Sequence, residues 1–206
     1  IPADLFANPE NTISLQAIGE LLEICVAATG CEHFGLLLGA GASANPLGFL
    51  GEILEQCADV GTAIAHFQQY FHLHDRGAMA TRTVERQEAS IGYLLFDATG
   101  PGAEQIYDGA IAIGMGLMRW LCGPNWKPTA VLLPRRQPRD VRPYEEVFAY
   151  TPEFAAERAV LIFPAGNLRR RLAGADRERY SLLAERLKSV TRQNDLDFAD
   201  QVRRVV

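Results

Sequence analysis

Apolar residues in the first third of the chain recur at helical spacing. Leu15, Ile18, Leu21, Leu22, Cys25 and Val26 follow the roughly 3.6-residue period, and Gly30 supplies a stop, predicting an amphipathic helix over residues 13–29. The segment Phe34-Gly35-Leu36-Leu37-Leu38-Gly39 is short and apolar, and fits a strand as well as a helix. A small-residue stretch, Gly41 to Pro46, reads as a loop. Phe49, Leu50, Ile53, Leu54 and Cys57 mark the next helix. Asp59 then stands where it can cap another that carries Val60, Ala63, Ile64, Phe67 and Phe71.

The pattern changes after Asp75-Arg76-Gly77. Residues 78–87 and 90–97 have the β-branched and aromatic density of strands, with polar Arg86-Gln87-Glu88 between them, predicting a hairpin with a slightly long turn. Thr99-Gly100-Pro101-Gly102 breaks it. Residues 103–121 return to helical spacing, with Ile106, Ala110, Ile113, Leu117 and Leu121 on one stripe and Asp108, Ala112 and Arg119 away from it. Gly109, Gly114 and Gly116 each cost that helix about 1 kcal/mol relative to alanine. Tight packing against the sheet accounts for them, as does space for a ligand beside Met115 and Met118.

Two further strand-like runs, residues 129–134 and 158–163, flank a proline-started helix with Tyr144, Val147 and Phe148 at helical spacing. Leu168 and Leu172 read as part of a following helix. Tyr180, Leu183, Leu187 and Val190 stripe a later one, and Leu196, Phe198, Val202 and Val205 begin another that has no apolar partner left in the chain. The expected fold is α+β: N-terminal helices and a small mixed β-sheet, a hairpin plus two further strands, with helices packed on it. Residues 1–192 are expected to form one domain and 193–206 to start a linker to a further domain.

Composition narrows the class. A chain of 206 residues with 22% charged residues is that of an ordinary water-soluble domain, long enough to bury roughly 70% of its unfolded surface. Residues 1–75 hold nine acids and no Lys or Arg, while the remainder carries all 20 basic residues. Complementary ends of that kind suit a dimer or a domain contact, and a net charge of −5 disfavours nucleic acid as a direct partner. Cys25, Cys31, Cys57 and Cys122 lack Cys-x-x-Cys spacing, which fits a reducing, cytoplasmic setting, and no apolar run approaches the ~20 residues of a membrane span.

Catalytic patterns are weak. His72-x-His74 with Asp75 and His66 has no Glu or Cys at ligand spacing, so a metal is not expected. Gly39-Ala40-Gly41 lacks the order of a phosphate loop, and no serine stands in a nucleophile elbow. Neither an enzyme nor a cofactor is expected. Arg135 and Arg139, four residues apart, form an alternative anion site that would suit a cyclic dinucleotide.

Several segments together resemble a known family. They are Phe34-Gly35-Leu36-x-x-Gly39, Leu47-Gly48-x-Leu50-Gly51, the helix from Thr62 to Tyr70, and Cys122-Gly123-Pro124-x-Trp126-x-Pro128. Pro138-x-Asp140, Tyr144, Phe148, and Phe154-x-x-Glu157-Arg158-x-x-Leu161-x-Phe163-Pro164 continue the order, and Asp197-Phe198-Ala199-x-Gln201-Val202-Arg203-Arg204 follows. In that order they resemble the N-terminal, arabinose-binding-type regulatory domain of AraC-type bacterial transcriptional regulators. The resemblance implies a sensor for a small-molecule effector that also supports homodimerisation. DNA would be read only by a C-terminal helix-turn-helix domain beyond this chain. At Thr62-Ala63 the chain departs from the Thr-Leu of many relatives. The label does not fix the effector.

A ligand is expected between the sheet and the helices of residues 60–72 and 103–121. Phe67, Tyr70, Met79, Tyr93, Met115 and Trp120 are the candidates for apolar contact, and Arg82 for the polar anchor.

Overall fold

A computed structural model describes residue 5 and residues 11–42 and 47–188 of the chain. The expectations for Val190 and for residues 193–206 lie outside these residues. Helices α1 (Leu15–Thr29), α2 (Phe34–Ala40), α3 (Gly48–Glu55) and α4 (Val60–Tyr70) come first, and a 3-10 turn over Phe71–Leu73 extends α4. Strands β1 (Ala78–Glu85) and β2 (Glu88–Leu95) follow, then the long helix α5 (Ala103–Cys122). Strand β3 (Ala130–Leu132), helix α6 (Arg142–Phe148) and strand β4 (Ala159–Pro164) come next, and residues 177–188 form α7.

Local chemistry sets these boundaries. Ser14 opens α1, its Oγ accepting from the Ala17 amide at 3.1 Å, and Gly30 closes it in the left-handed region at φ 67° with its amide on Val26 O. Asp59 Oδ1 accepts from the Thr62 amide at 2.8 Å and starts α4. Each such cap is worth about 1 kcal/mol. The ambiguous segment after Phe34 is helical, because its two glycines let α2 lie directly on α5.

The sheet order is β1-β2-β4-β3, and all three pairings are antiparallel, where the sequence suggests a mixed sheet. Glu85 pairs with Glu88, so the hairpin turn is Arg86-Gln87 alone, shorter than expected, and Arg86 takes the left-handed conformation at φ 52°. The segment holding Leu168 is a 3-10 helix, Ala165–Arg169, in place of a regular helix. Its continuation ties back to α4: Val60 donates to Arg170 O and Leu172 to Ala58 O.

Helix α5 is the spine. One side lies on β2 and β4, while α1, α2 and α6 cover other sides. Asp108 and Ala112, expected to face away from the apolar stripe, are therefore buried. A helix enclosed on several sides has no single wet face for periodicity to mark. Beyond α5, Trp126 anchors the loop to the sheet, its ring 5.7 Å from that of Phe163 and its Nε1 donating to Asn167 Oδ1 at 2.8 Å. Tyr144 and Phe148 of α6 are fully buried, as their spacing predicts.

Candidate functional site

Four groups of elements line a half-open cavity of about 450 Å³: α1 and α2, the end of α4, α5, and the inner face of β1, β2 and β4. That size suits a small organic molecule. Leu15, Ile18 and Leu22 of α1 form one wall, with Leu38 and Gly39 of α2 beside them. Ile106, Ala110, Ile113 and Gly114 of α5 form another, Phe67 and Phe71 close the α4 end, and Ala80, Ile91 and Leu161 form the floor.

The space exists because glycines let some backbones touch and keep others apart. A Cβ on Gly39 would lie 2.2 Å from Gly109 O, and one on Gly35 would lie 2.1 Å from Gln105 O. Helices α2 and α5 therefore meet backbone to backbone at one end. Gly114 is the opposite case: a Cβ there would meet nothing nearer than Leu161 Cδ1 at 3.7 Å. It holds the cavity open. Of the glycines that the sequence marks in this helix, Gly109 packs on α2, where sheet packing is the expectation, and Gly116 faces solvent.

Polar side chains reach the cavity wall at few points, and most are already engaged. Gln105 Oε1 accepts from the Gly35 amide, and its Nε2 donates to Glu32 O, both at 2.8 Å. Asp75 Oδ1 accepts from the Gly77 amide at 2.8 Å, and Oδ2 from the Tyr93 hydroxyl at 2.7 Å. Burial, with Asp75 as hydrogen-bond acceptor, pushes the Tyr93 phenol well above its ordinary value, so it remains a donor. His74 lies at the same corner.

The expected ligand contacts are distributed unevenly. Phe67 and Tyr93 line the cavity. Met79 and Arg82 line a neighbouring groove with Gln68, His72 and Arg76, and Arg82 Nε is shielded there without a hydrogen-bond partner. Tyr70 stacks on His66, ring centroids 5.9 Å apart. Met115 is fully buried in the core, and Trp120 packs half-buried against it. Leu15, Ile18, Leu22 and Leu38 are wall residues that sequence reasoning missed. The signal of the first three was present in the α1 stripe, but nothing in one sequence says which core a stripe faces.

Behind α5 lies a buried ionic cluster. Arg135 Nη1 donates to Asp108 Oδ2, to the Tyr144 hydroxyl and, at 3.3 Å, to Glu32 O. The Tyr144 hydroxyl donates to Asp108 Oδ2 at 2.6 Å, while Asp108 Oδ1 has no partner. Burial pushes the Asp108 carboxyl up to about 6, against the downward pull of Arg135 and Tyr144. On Arg135 burial acts downward, and the charge of Asp108 with its hydrogen bond outweighs it, keeping the guanidinium protonated. Arg139, the other half of the alternative anion site, has a side chain 93% exposed and sits 3.5 Å from Glu32. One arginine turns inward and the other outward, so the pair does not converge on one ligand.

His66 lies on the side of α4 that meets α7. Its Nε2 is 2.6 Å from the Tyr180 hydroxyl, and burial lowers its pKa. Among the described residues no group of three or more His, Cys, Asp or Glu side chains is placed to hold a metal ion, and no single helix is long and apolar enough to cross a membrane.

No curated protein matches the sequence. The fold is similar to the crystal structure of transcriptional regulator CdpR from Pseudomonas aeruginosa, with a TM-score of 0.65 and 20% identity. That likeness covers 82% of this chain and 55% of the other, so the chain spans about half of that regulator's length. Residues 1–172 match the family model described as the arabinose-binding domain of AraC transcription regulator, N-terminal. By that match, over most of its length, the chain belongs to the family of N-terminal arabinose-binding domains of AraC transcription regulators.

Proposed function

We propose that this chain senses a small-molecule effector in the cavity between α1, α2, α4, α5 and the sheet, and passes occupancy to a DNA-binding domain carried elsewhere in the full regulator. It would do so as a homodimer in the bacterial cytoplasm. The observation that carries this reading is the double duty of α4. Phe67 and Phe71 face the cavity, while His66 on the same helix holds Tyr180 of α7. An occupant that displaces the two phenylalanines shifts α4, and α4 shifts α7. A ligand switches such an equilibrium only by binding one arrangement more tightly, and a few kcal/mol of coupling suffices.

Thermal unfolding against a panel of metabolites tests the binding step. A true effector at about 100 times its Kd adds roughly 2.7 kcal/mol to the native state and raises the melting temperature. Tyr180→Phe in the full-length regulator should leave that shift intact and weaken the transcriptional response. A panel in which no compound stabilises the chain, or a Tyr180→Phe response equal to wild type, counts against the reading.

A further inference from the structure

We infer that the cavity selects an apolar ligand carrying a single hydrogen-bond donor, and that it rejects sugars, arabinose included. This rests on the cavity being the effector site and adds the chemical class of the effector. Among the described residues, apart from one corner and Gln105, the walls are aliphatic or aromatic side chains and glycines, including Leu22, Leu38, Phe67, Ile106, Ile113 and Leu161.

A sugar carries a hydroxyl on nearly every carbon, and each must find a partner when water leaves. Here few partners remain. Both ends of the Gln105 amide bond to the backbone of residues 32 and 35, and both Asp75 oxygens already accept from Gly77 and Tyr93. Ile18 and Leu22 lie within α1 and Ile106, Ala110 and Ile113 within α5, where the backbone amides are bonded inside their own helices. A buried hydroxyl without a partner weakens binding roughly tenfold or more, and a sugar would bury several.

The corner of His74, Asp75 and Tyr93 sets what the one polar group is. A carboxylate oxygen with one hydrogen bond retains further lone pairs, and the Tyr93 oxygen can accept while it donates to Asp75. Two acceptors at one end of an apolar chamber, beside a His74 ring that can donate or accept, call for a group that can donate: a hydroxyl or an ammonium group. A carboxylate head would meet Asp75 as a like charge.

The test is a titration of this chain with the n-alkanols from hexanol to decanol, the matching carboxylates, and L-arabinose, read by calorimetry and thermal unfolding. Alkanol affinity should climb roughly fourfold per methylene until the cavity fills, because each buried CH₂ adds that much. Each carboxylate should bind more weakly than its alcohol, and arabinose should produce no shift. Gly114→Leu projects a side chain into the space and should abolish alkanol binding while the variant still unfolds cooperatively; Ala110→Leu, on the same wall, serves if that variant does not fold.

Alkanol affinity that is flat with chain length, or unchanged by the wall substitutions, would overturn the inference. So would arabinose binding that the wall substitutions block, although that result leaves the cavity as the effector site. The converse result, steep alkanol binding that does not alter transcription by the full-length regulator, supports the ligand class and removes the sensing role instead.

Discussion

Two sides of α5 are lined by opposite chemistry. Toward α1 and the floor strands, Ile106, Ala110, Ile113 and Gly114 border open apolar space. Toward α6, Asp108 is fully buried against Arg135 and Tyr144. A void wastes dispersion contacts and a buried charge costs desolvation, so neither side is the most stable arrangement available. Together they make sense as division of labour. The ionic side fixes where α5 sits relative to α6 and residues 133–139, which lets the other side remain unfilled without the helix collapsing into it.

Breaking the ionic side should have the largest effect. Arg135→Met leaves the Asp108 carboxylate buried without its counter-charge, which should cost about 3–5 kcal/mol in urea unfolding near neutral pH. The sign of the pH dependence follows from the shift. Asp108 ionises near 3.9 in the unfolded chain and at about 6 in the fold, so the folded state holds the proton more tightly. Its contribution is therefore present below about pH 4 and is lost as pH rises through about 6. Without Arg135 the folded value climbs further, so the deficit of the variant should be larger at about pH 8 than at about pH 5. Equal deficits would show that the lost packing of the arginine stem, and not the stranded carboxylate, sets the cost.

At the junction of the two sides, Gly39→Ala should destabilise by about 1–3 kcal/mol, because its Cβ would sit 2.2 Å from the backbone oxygen of Gly109 and force α2 away from α5. The atom it meets is backbone, which cannot swing aside. Since Gly39 also borders the cavity, the same change should loosen ligand binding. A variant as stable as wild type would mean that the two helices can separate freely.

Much of this arrangement was legible in the residues. The Asp59 cap, the Gly30 stop, the hairpin, and the burial of Tyr144 and Phe148 follow from capping chemistry and periodicity, which act over a few neighbouring positions. Phe67 and Tyr93, two of the expected contacts, do line the cavity, but which core a stripe faces is not set at that range. What could not be read depends on contacts distant in sequence. Asp108 looks solvated until Arg135 and Tyr144 arrive from 27 and 36 residues away. Met115 looks like a ligand contact because it neighbours Gly114, yet one step around a helix turns it through about 100° into the core. The same short runs that are ambiguous alone, such as Phe34–Gly39, become helical only because Gly109 offers a surface flat enough to receive them.

Gly114→Ala should give the smallest effect and the most direct reading of the open side. Gly39 and Gly114 both belong to helices and both border the cavity, so propensity alone predicts that alanine stabilises each by up to about 1 kcal/mol. At Gly39 the steric term opposes and dominates. At Gly114 the added methyl meets Leu161 Cδ1 at 3.7 Å and Ile91 Cδ1 at 4.0 Å, ordinary contact distances that add dispersion instead of strain. The variant should therefore melt slightly above wild type while binding the largest ligands less well, and differential scanning calorimetry with and without n-decanol resolves both. A glycine where alanine is more stable then has one physical justification, the volume it leaves to the ligand; a Gly114→Ala chain that melts below wild type would show instead that the helix has no room there, and that the chamber closes in solution.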